Sequence, residues 1–241
     1  MSEALVLVGH GSSKNPNTRN PLDALVSEIK KRNLYREVHC AFLKEDQRIC
    51  KVLEPLQSRK VTVVPFFISD GYYTRMVIPG CLNKNETFSS RQVRISRAVG
   101  SHPLFAELIL QHAVSAGWKS GDALVVLGHG TPKNPASGIN VYLQSERIRQ
   151  GHPGEEIRTA FIDESPFVTE AWEFCNADRI FIVPLFIGDG WHVTETIPED
   201  LGLVEGKAER GGRQLVMTSA VGTDPGLIEV VLALAAEAEQ T

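Results

Sequence analysis

The sequence predicts an α/β protein built from two small, doubly wound lobes with parallel sheets. Three observations carry this. Segments of the chain repeat in register, apolar strand-sized runs alternate with longer amphipathic stretches, and the most apolar runs are continuous rather than alternating. The repeat comes first because it sets the architecture. Leu5 to Pro16 reads LVLVGHGSSKNP and Leu124 to Pro135 reads LVVLGHGTPKNP, with eight of twelve positions identical at an offset of 119 residues. The same offset carries Ala41-Phe42 onto Ala160-Phe161, Glu45 onto Glu164, and VVPFFISDGYYTRMVIP (63–79) onto IVPLFIGDGWHVTETIP (182–198). Three blocks in constant register make the chain a tandem duplication, with expected units 1–118 and 119–241 joined through AGWKSGD.

Within each unit the elements follow in order. Strands are expected at about 4–9, 37–43, 61–68 and 92–99, and again at 123–128, 156–162, 179–187 and 214–221. Helices are expected at 18–33, 46–58 and 103–117, then at 137–150, 165–176 and 225–239, with shorter helical pieces after Tyr73 and His192. Runs such as VTVVPFFI and IFIVPLFI suit parallel strands covered on both faces. Strand–helix alternation then gives right-handed βαβ units, and a cleft between two such lobes is a natural ligand site.

Composition narrows the functional classes. The 241 residues are 42% hydrophobic and 22% charged with a formal net charge of −4, an ordinary globular balance that argues against a strongly basic nucleic-acid binder. Cys40, Cys50, Cys81 and Cys175 form no C-x-x-C pair, so zinc-ribbon and iron–sulfur spacings are absent, and sparse cysteines suit a reducing compartment. Apolar stretches are strand-sized, short of a membrane span. Met1 to Glu3 lead directly into the first strand, leaving no room for a signal peptide. The expectation is a cytoplasmic protein without membrane or nucleic-acid partners.

Ligands in such sheets bind beyond the carboxyl ends of the strands. His10 and His129 stand there, each in a Gly-His-Gly closing the first strand of its unit. Either is open to a structural reading, as a histidine bonded to its own loop. The units differ more tellingly after the third strand, where His192 occupies the position of Tyr73. His129 and His192 are expected to face one another, a pair of imidazoles suited to a divalent transition metal. Asp163, at the end of the second strand and opposite Lys44 in the other copy, is the candidate carboxylate for completing a metal site or accepting protons. Glu45 and Glu164 are read as the first residues of the following helices. His102 is read as a cap or surface residue, and His39, His112 and His152 as structural. Ser12 lacks a G-x-S-x-G context. Lys14, Lys133, Arg19, Arg75, Arg147 and Arg149 are expected near strand-end loops, where as a group they could receive a polycarboxylate.

Taken together, GHGS, GHGT and VPLFIGDGWH…IP resemble the class II tetrapyrrole chelatases, in particular the long, duplicated sirohydrochlorin cobaltochelatase/ferrochelatase type, over nearly the whole chain. The resemblance implies two flavodoxin-like lobes, a tetrapyrrole cleft and insertion of Co²⁺ or Fe²⁺ as substrate, with no permanently bound cofactor. It implies metal-ligating histidines after the first and third strands of one lobe. His129 and His192 match both positions, His10 matches one, and Asp163 falls about where some members carry a carboxylate. Departures are Tyr73 for the second histidine of the first lobe, Thr196 where Asp is common before Ile-Pro, and the lack of a histidine-rich tail. A monomer is adequate and a homodimer is open. Two other readings also stay open: a non-catalytic tetrapyrrole or metal carrier, and an unrelated α/β hydrolase or transferase.

Overall fold

A computed structural model of the chain describes residues 3–11, 20–44, 49–83, 91–132 and 138–240. Ser12, Lys14, Arg19, Glu45 and Lys133 lie outside the described residues. The first sheet is built from β1 (Ala4–Gly9), β2 (Glu37–Phe42), β3 (Lys60–Pro65) and β4 (Gln92–Ile95), all parallel, in the order β2-β1-β3-β4. The second contains β5 (Ala123–Gly128), β6 (Glu156–Phe161), β7 (Arg179–Pro184), β8 (Lys207–Arg210) and β9 (Arg213–Met217) in the order β6-β5-β7-β9-β8. Every residue of β1 and β5 is buried, as expected for central strands covered on both faces.

Helices follow the strands: α1 (Asn20–Lys31), α2 (Ile49–Leu53), α3 (Ile78–Asn83), α4 (Leu104–Ser115), α5 (Ile139–Gly151), α6 (Ala171–Phe174), α7 (Ile197–Leu201) and α8 (Leu227–Gln240). Two differences from the sequence reading have clear causes. The antiparallel β8 was not expected. It is joined to β9 by Gly211-Gly212, both with positive φ (60° and 79°), the two-residue turn that such a hairpin requires. The helix expected over 165–176 shrinks to a 3₁₀ turn at Val168–Glu170 and the short α6, so Glu164 does not start a helix.

The compact units do not coincide with the sequence repeats. One unit comprises residues 1–102 and 225–241, and the other comprises 103–224. Helix α8, at the end of the second repeat, packs on β3, β4 and α1. Helix α4, at the end of the first repeat, packs on β7 and α5. Duplication explains why the sequence did not reveal this exchange: both helices carry equivalent apolar stripes, so pattern alone fits either sheet. At each crossing a histidine–carboxylate pair fixes the chain. His102, buried rather than at the surface, lies 3.3 Å from Glu237 of α8, and His112 of α4 lies 2.7 Å from Asp224.

Candidate metal centre at the strand ends of the second unit

In both sheets the chain leaves the first strand on one side and the third on the other, so the carboxyl ends of β5 and β7, like those of β1 and β3, form the switch point where ligands bind. The two glycines of Gly128-His129-Gly130 have different tasks. A Cβ on Gly128 would stand 2.6 Å from Val141 of α5, so the strand passes that helix too closely for a side chain. Gly130 has φ +70°, in the left-handed region. A side chain there would also strike Glu164, 2.6 Å away, so Glu164 packs against this loop.

His129 is fixed through Nδ1, which lies 2.9 Å from the Gly130 carbonyl oxygen. A carbonyl only accepts, so Nδ1 carries the proton and donates, leaving the Nε2 lone pair for a ligand. Asp163 Oδ2 is 3.5 Å from the same Nδ1. Its placement comes from the backbone, since the Asp163 N–H donates to the His129 carbonyl at 3.0 Å. Asp163 therefore stands on the orienting side of the ring, a partner of the kind that fixes ligand histidines.

His192 opens a π-helical turn, His192–Thr196, after β7. The Ile197 N–H reaches back to the His192 carbonyl, and the next residue, Pro198, has no N–H and crowds the carbonyl four residues before it, which accompanies the wide turn. Buried Val193 and Ile197 anchor this segment. The His129 and His192 rings meet edge to face with centroids 4.9 Å apart, close enough for one ion to take a nitrogen of each at about 2 Å. Among the described residues, His192 Nδ1 is the buried side-chain nitrogen or oxygen without a hydrogen-bond partner, a feature that calls for a ligand. Phe186 lies edge-on to His129, and Trp191 is 73% exposed beside His192. No group of three or more His, Cys, Asp or Glu side chains able to hold a metal occurs among the described residues.

The loop behind His192 is held by residues that the sequence reading passed over. Asp189 accepts from the Ala220 N–H at 2.7 Å, and Gly222 approaches Ile187 so closely that a Cβ would stand 2.2 Å from its backbone. Asp70–Ala98 and Gly100–Ile68 repeat both contacts in the first unit. The duplicated SDG/GDG and VGS/VGT triplets were the available signal.

His10 occupies the matching place after β1, but its ring meets Tyr73 at 4.8 Å, with Phe67 at 6.4 Å. Burial, and then the Lys44 ammonium, hold its pKa below the usual histidine value. Arg147 and Arg149 do not join either site. They lie in the carboxyl half of α5, with Arg147 on Gln144 and Arg149 on the carbonyl of Ile157 near the start of β6. His39 lies 4.0 Å from Glu37, and His152 bonds the Ile148 carbonyl.

A family model described as CbiX matches residues 4–116 and again 123–238. The chain belongs to the CbiX family. A protein of Halobacterium salinarum named as a probable sirohydrochlorin cobaltochelatase is 35% identical over 98% of this chain and 91% of its own length. A Deinococcus radiodurans protein, described as multi-domain with structural similarity to chelatases, superposes with a TM-score of 0.81 at 27% identity. The alignment covers 97% of this chain but only 54% of that one. SirB from Bacillus subtilis, solved with Fe³⁺, gives a TM-score of 0.82 at 17% identity, covering 100% of this chain and 98% of its own, a likeness of fold. The two CbiX matches follow the sequence repeats, not the compact units with their exchanged helices.

Proposed function

We propose that this CbiX-family chain is a lyase of the chelatase type, inserting Co²⁺ or Fe²⁺ into sirohydrochlorin or a closely related tetrapyrrole. The observation that carries the site assignment is the His129–His192 pair, with Nδ1 of one ring tied to a carbonyl and Nδ1 of the other buried without a partner. His129 Nε2 and a nitrogen of His192 hold the incoming ion and replace part of its water. The metal is a substrate, and the reaction needs no permanently bound cofactor. A free tetrapyrrole releases two pyrrole N–H protons as one divalent ion enters, so charge balances. Asp163 orients His129 through Nδ1 and is the candidate group to receive those protons. Holding ion and macrocycle together makes the encounter a local step. No helix among the described residues is long and apolar enough to cross a membrane.

The test is anaerobic. Sirohydrochlorin and Co²⁺ or Fe²⁺ are mixed with the protein, and insertion is followed by absorption against an enzyme-free control. His129→Ala and His192→Ala are expected to fall to the control rate, whereas His10→Ala retains insertion. Loss with His10→Ala alone would move the metal site to the first unit. Binding of metal and macrocycle without acceleration would make the protein a carrier.

A further inference from the structure

The strand-end site of the first unit is built on the same backbone as the metal centre and carries the opposite chemistry. The Lys44 N–H donates to the His10 carbonyl at 3.1 Å, as the Asp163 N–H does to that of His129 at 3.0 Å, so Lys44 stands where the second unit places its carboxylate. Tyr73 stands where the second unit places His192, and the two rings open matching π-helical turns. Further along those turns, Arg75 and Met76 correspond to Thr194 and Glu195. Positions 44, 75 and 76 thus carry two positive charges, and positions 163, 194 and 195 carry two negative ones. Asp70 and Asp189 leave this difference intact, since they occupy equivalent positions, one in each unit, and each accepts a backbone N–H.

A cation is repelled from the first site and an anion is drawn to it. Beyond charge, donors have replaced acceptors. An ammonium and a phenol donate where a carboxylate and an imidazole lone pair would accept. Burial first, and then the positive charge of Lys44, hold the His10 pKa below the usual histidine value. Phe67 stacks with Tyr73 at 6.1 Å, and Tyr72, 70% exposed, meets Tyr73 edge-on at 5.7 Å, giving apolar faces beside the donors. Donors flanked by ring faces suit an acid head on a short aliphatic stem better than a bare inorganic anion.

We propose that the strand ends of the first unit form a carboxylate-binding site, in which Lys44, the Tyr73 hydroxyl and His10 receive an organic acid whose stem packs on Phe67 and Tyr72. The carboxylate belongs either to a free organic acid or to an acidic arm of a larger substrate. The second source rests on the function proposed above, and the first does not.

The test uses the full chain with labelled histidines. The His10 ring resonances, assigned with His10→Gln, are followed by NMR as succinate or inorganic phosphate is added at constant ionic strength. A saturable His10 shift is expected with succinate, at least fivefold weaker with phosphate, weakened at least tenfold in Lys44→Ala and recovered in Lys44→Arg. Zn²⁺ in a parallel sample is expected to move His129 and His192 and leave His10 in place. A His10 response that is non-saturable, equal for phosphate, insensitive to Lys44→Ala, or driven by Zn²⁺ overturns the assignment. The source of the carboxylate is read separately from the KM for sirohydrochlorin in Lys44→Ala. A severalfold rise assigns the site to an arm of the macrocycle, and succinate binding without that rise assigns it to a free acid. The NMR readings need no turnover, so an inactive enzyme with a succinate-responsive His10 would sink the chelatase reading and leave this site standing.

Discussion

The described strand ends of β1/β3 and of β5/β7 share a scaffold, yet they carry side chains of different charge and hydrogen-bonding type. Glu37 and Glu156 each accept backbone N–H groups at the start of the third strand of their sheets. Arg91 and Arg213 each donate to several carbonyls at the end of the preceding helical segment, and Gly100 and Gly222 each let a turn press on the strand-end backbone. Among the described residues, the differences include His192 against Tyr73, Asp163 against Lys44, Thr194 against Arg75 and Glu195 against Met76. The shared residues satisfy buried backbone groups or fit where nothing larger can, and both sheets have the same such needs. The others differ in charge and in hydrogen-bonding type, and the two ligands proposed above rest on that difference.

The largest expected effect comes from exchanging the two chemistries. Tyr73→His combined with Lys44→Asp should raise the number of Co²⁺ ions bound per chain from one to two by calorimetry, and His192→Tyr should abolish binding at the original site. A double variant that still binds one ion would show that the scaffolds differ in more than these side chains. Next in size is Gly222→Ala. Its added methyl meets Ile187 backbone that cannot rotate away, and the cost should be about 3 kcal/mol by chemical denaturation, the upper end for overpacking. Gly100→Ala, against Ile68, should cost a similar amount. Arg213→Ala leaves carbonyls of Trp172, Cys175 and Ala177 without their donor and should cost about 2 kcal/mol, with Arg91→Ala its equal in the first unit.

The smallest effect is in pH dependence. For Glu156, burial alone would raise the carboxyl pKa, but hydrogen bonds from Arg158, Asn176 and Ala177 outweigh it and hold the value below 4.5. For Glu37, the Ser58 hydroxyl and the N–H groups of Ser58 and Gln57 outweigh burial in the same way. A lowered carboxylate adds stability above its unfolded pKa, and that stability is lost as pH falls through the folded value. The stability gap between wild type and Glu156→Gln should therefore be full at pH 7 and close below pH 4.5. A gap independent of pH would mean that the hydrogen bonds do not depend on the carboxylate charge.

The duplication made most of this architecture readable from the sequence. Strand positions, the Gly-His-Gly turns and the pairing of His129 with His192 all follow from the constant offset and the rule that ligands gather at strand ends. Beyond β8 and the shortened α6, three further features did not, each for a physical reason. The exchange of α4 and α8 is invisible because equivalent apolar stripes fit equivalent sheets. The side of His129 on which Asp163 sits depends on the Asp163 N–H bond to the His129 carbonyl, which no residue pattern encodes. The placement of Arg147 and Arg149 away from the site depends on where along α5 they fall, and helix length moves a side chain 1.5 Å per residue.

The helix exchange also bears on the order in which the protein is completed as it is made. The unit holding the metal-type histidines is continuous, 103–224, and all of its chain is present before α8 has been synthesised. The unit that begins the chain is finished only when residues 225–241 emerge, since α8 covers β3 and β4. The first sheet to leave the ribosome is thus the last to gain its covering helix, and a stop just after Asp224 would remove that helix while keeping the whole of the second unit's chain.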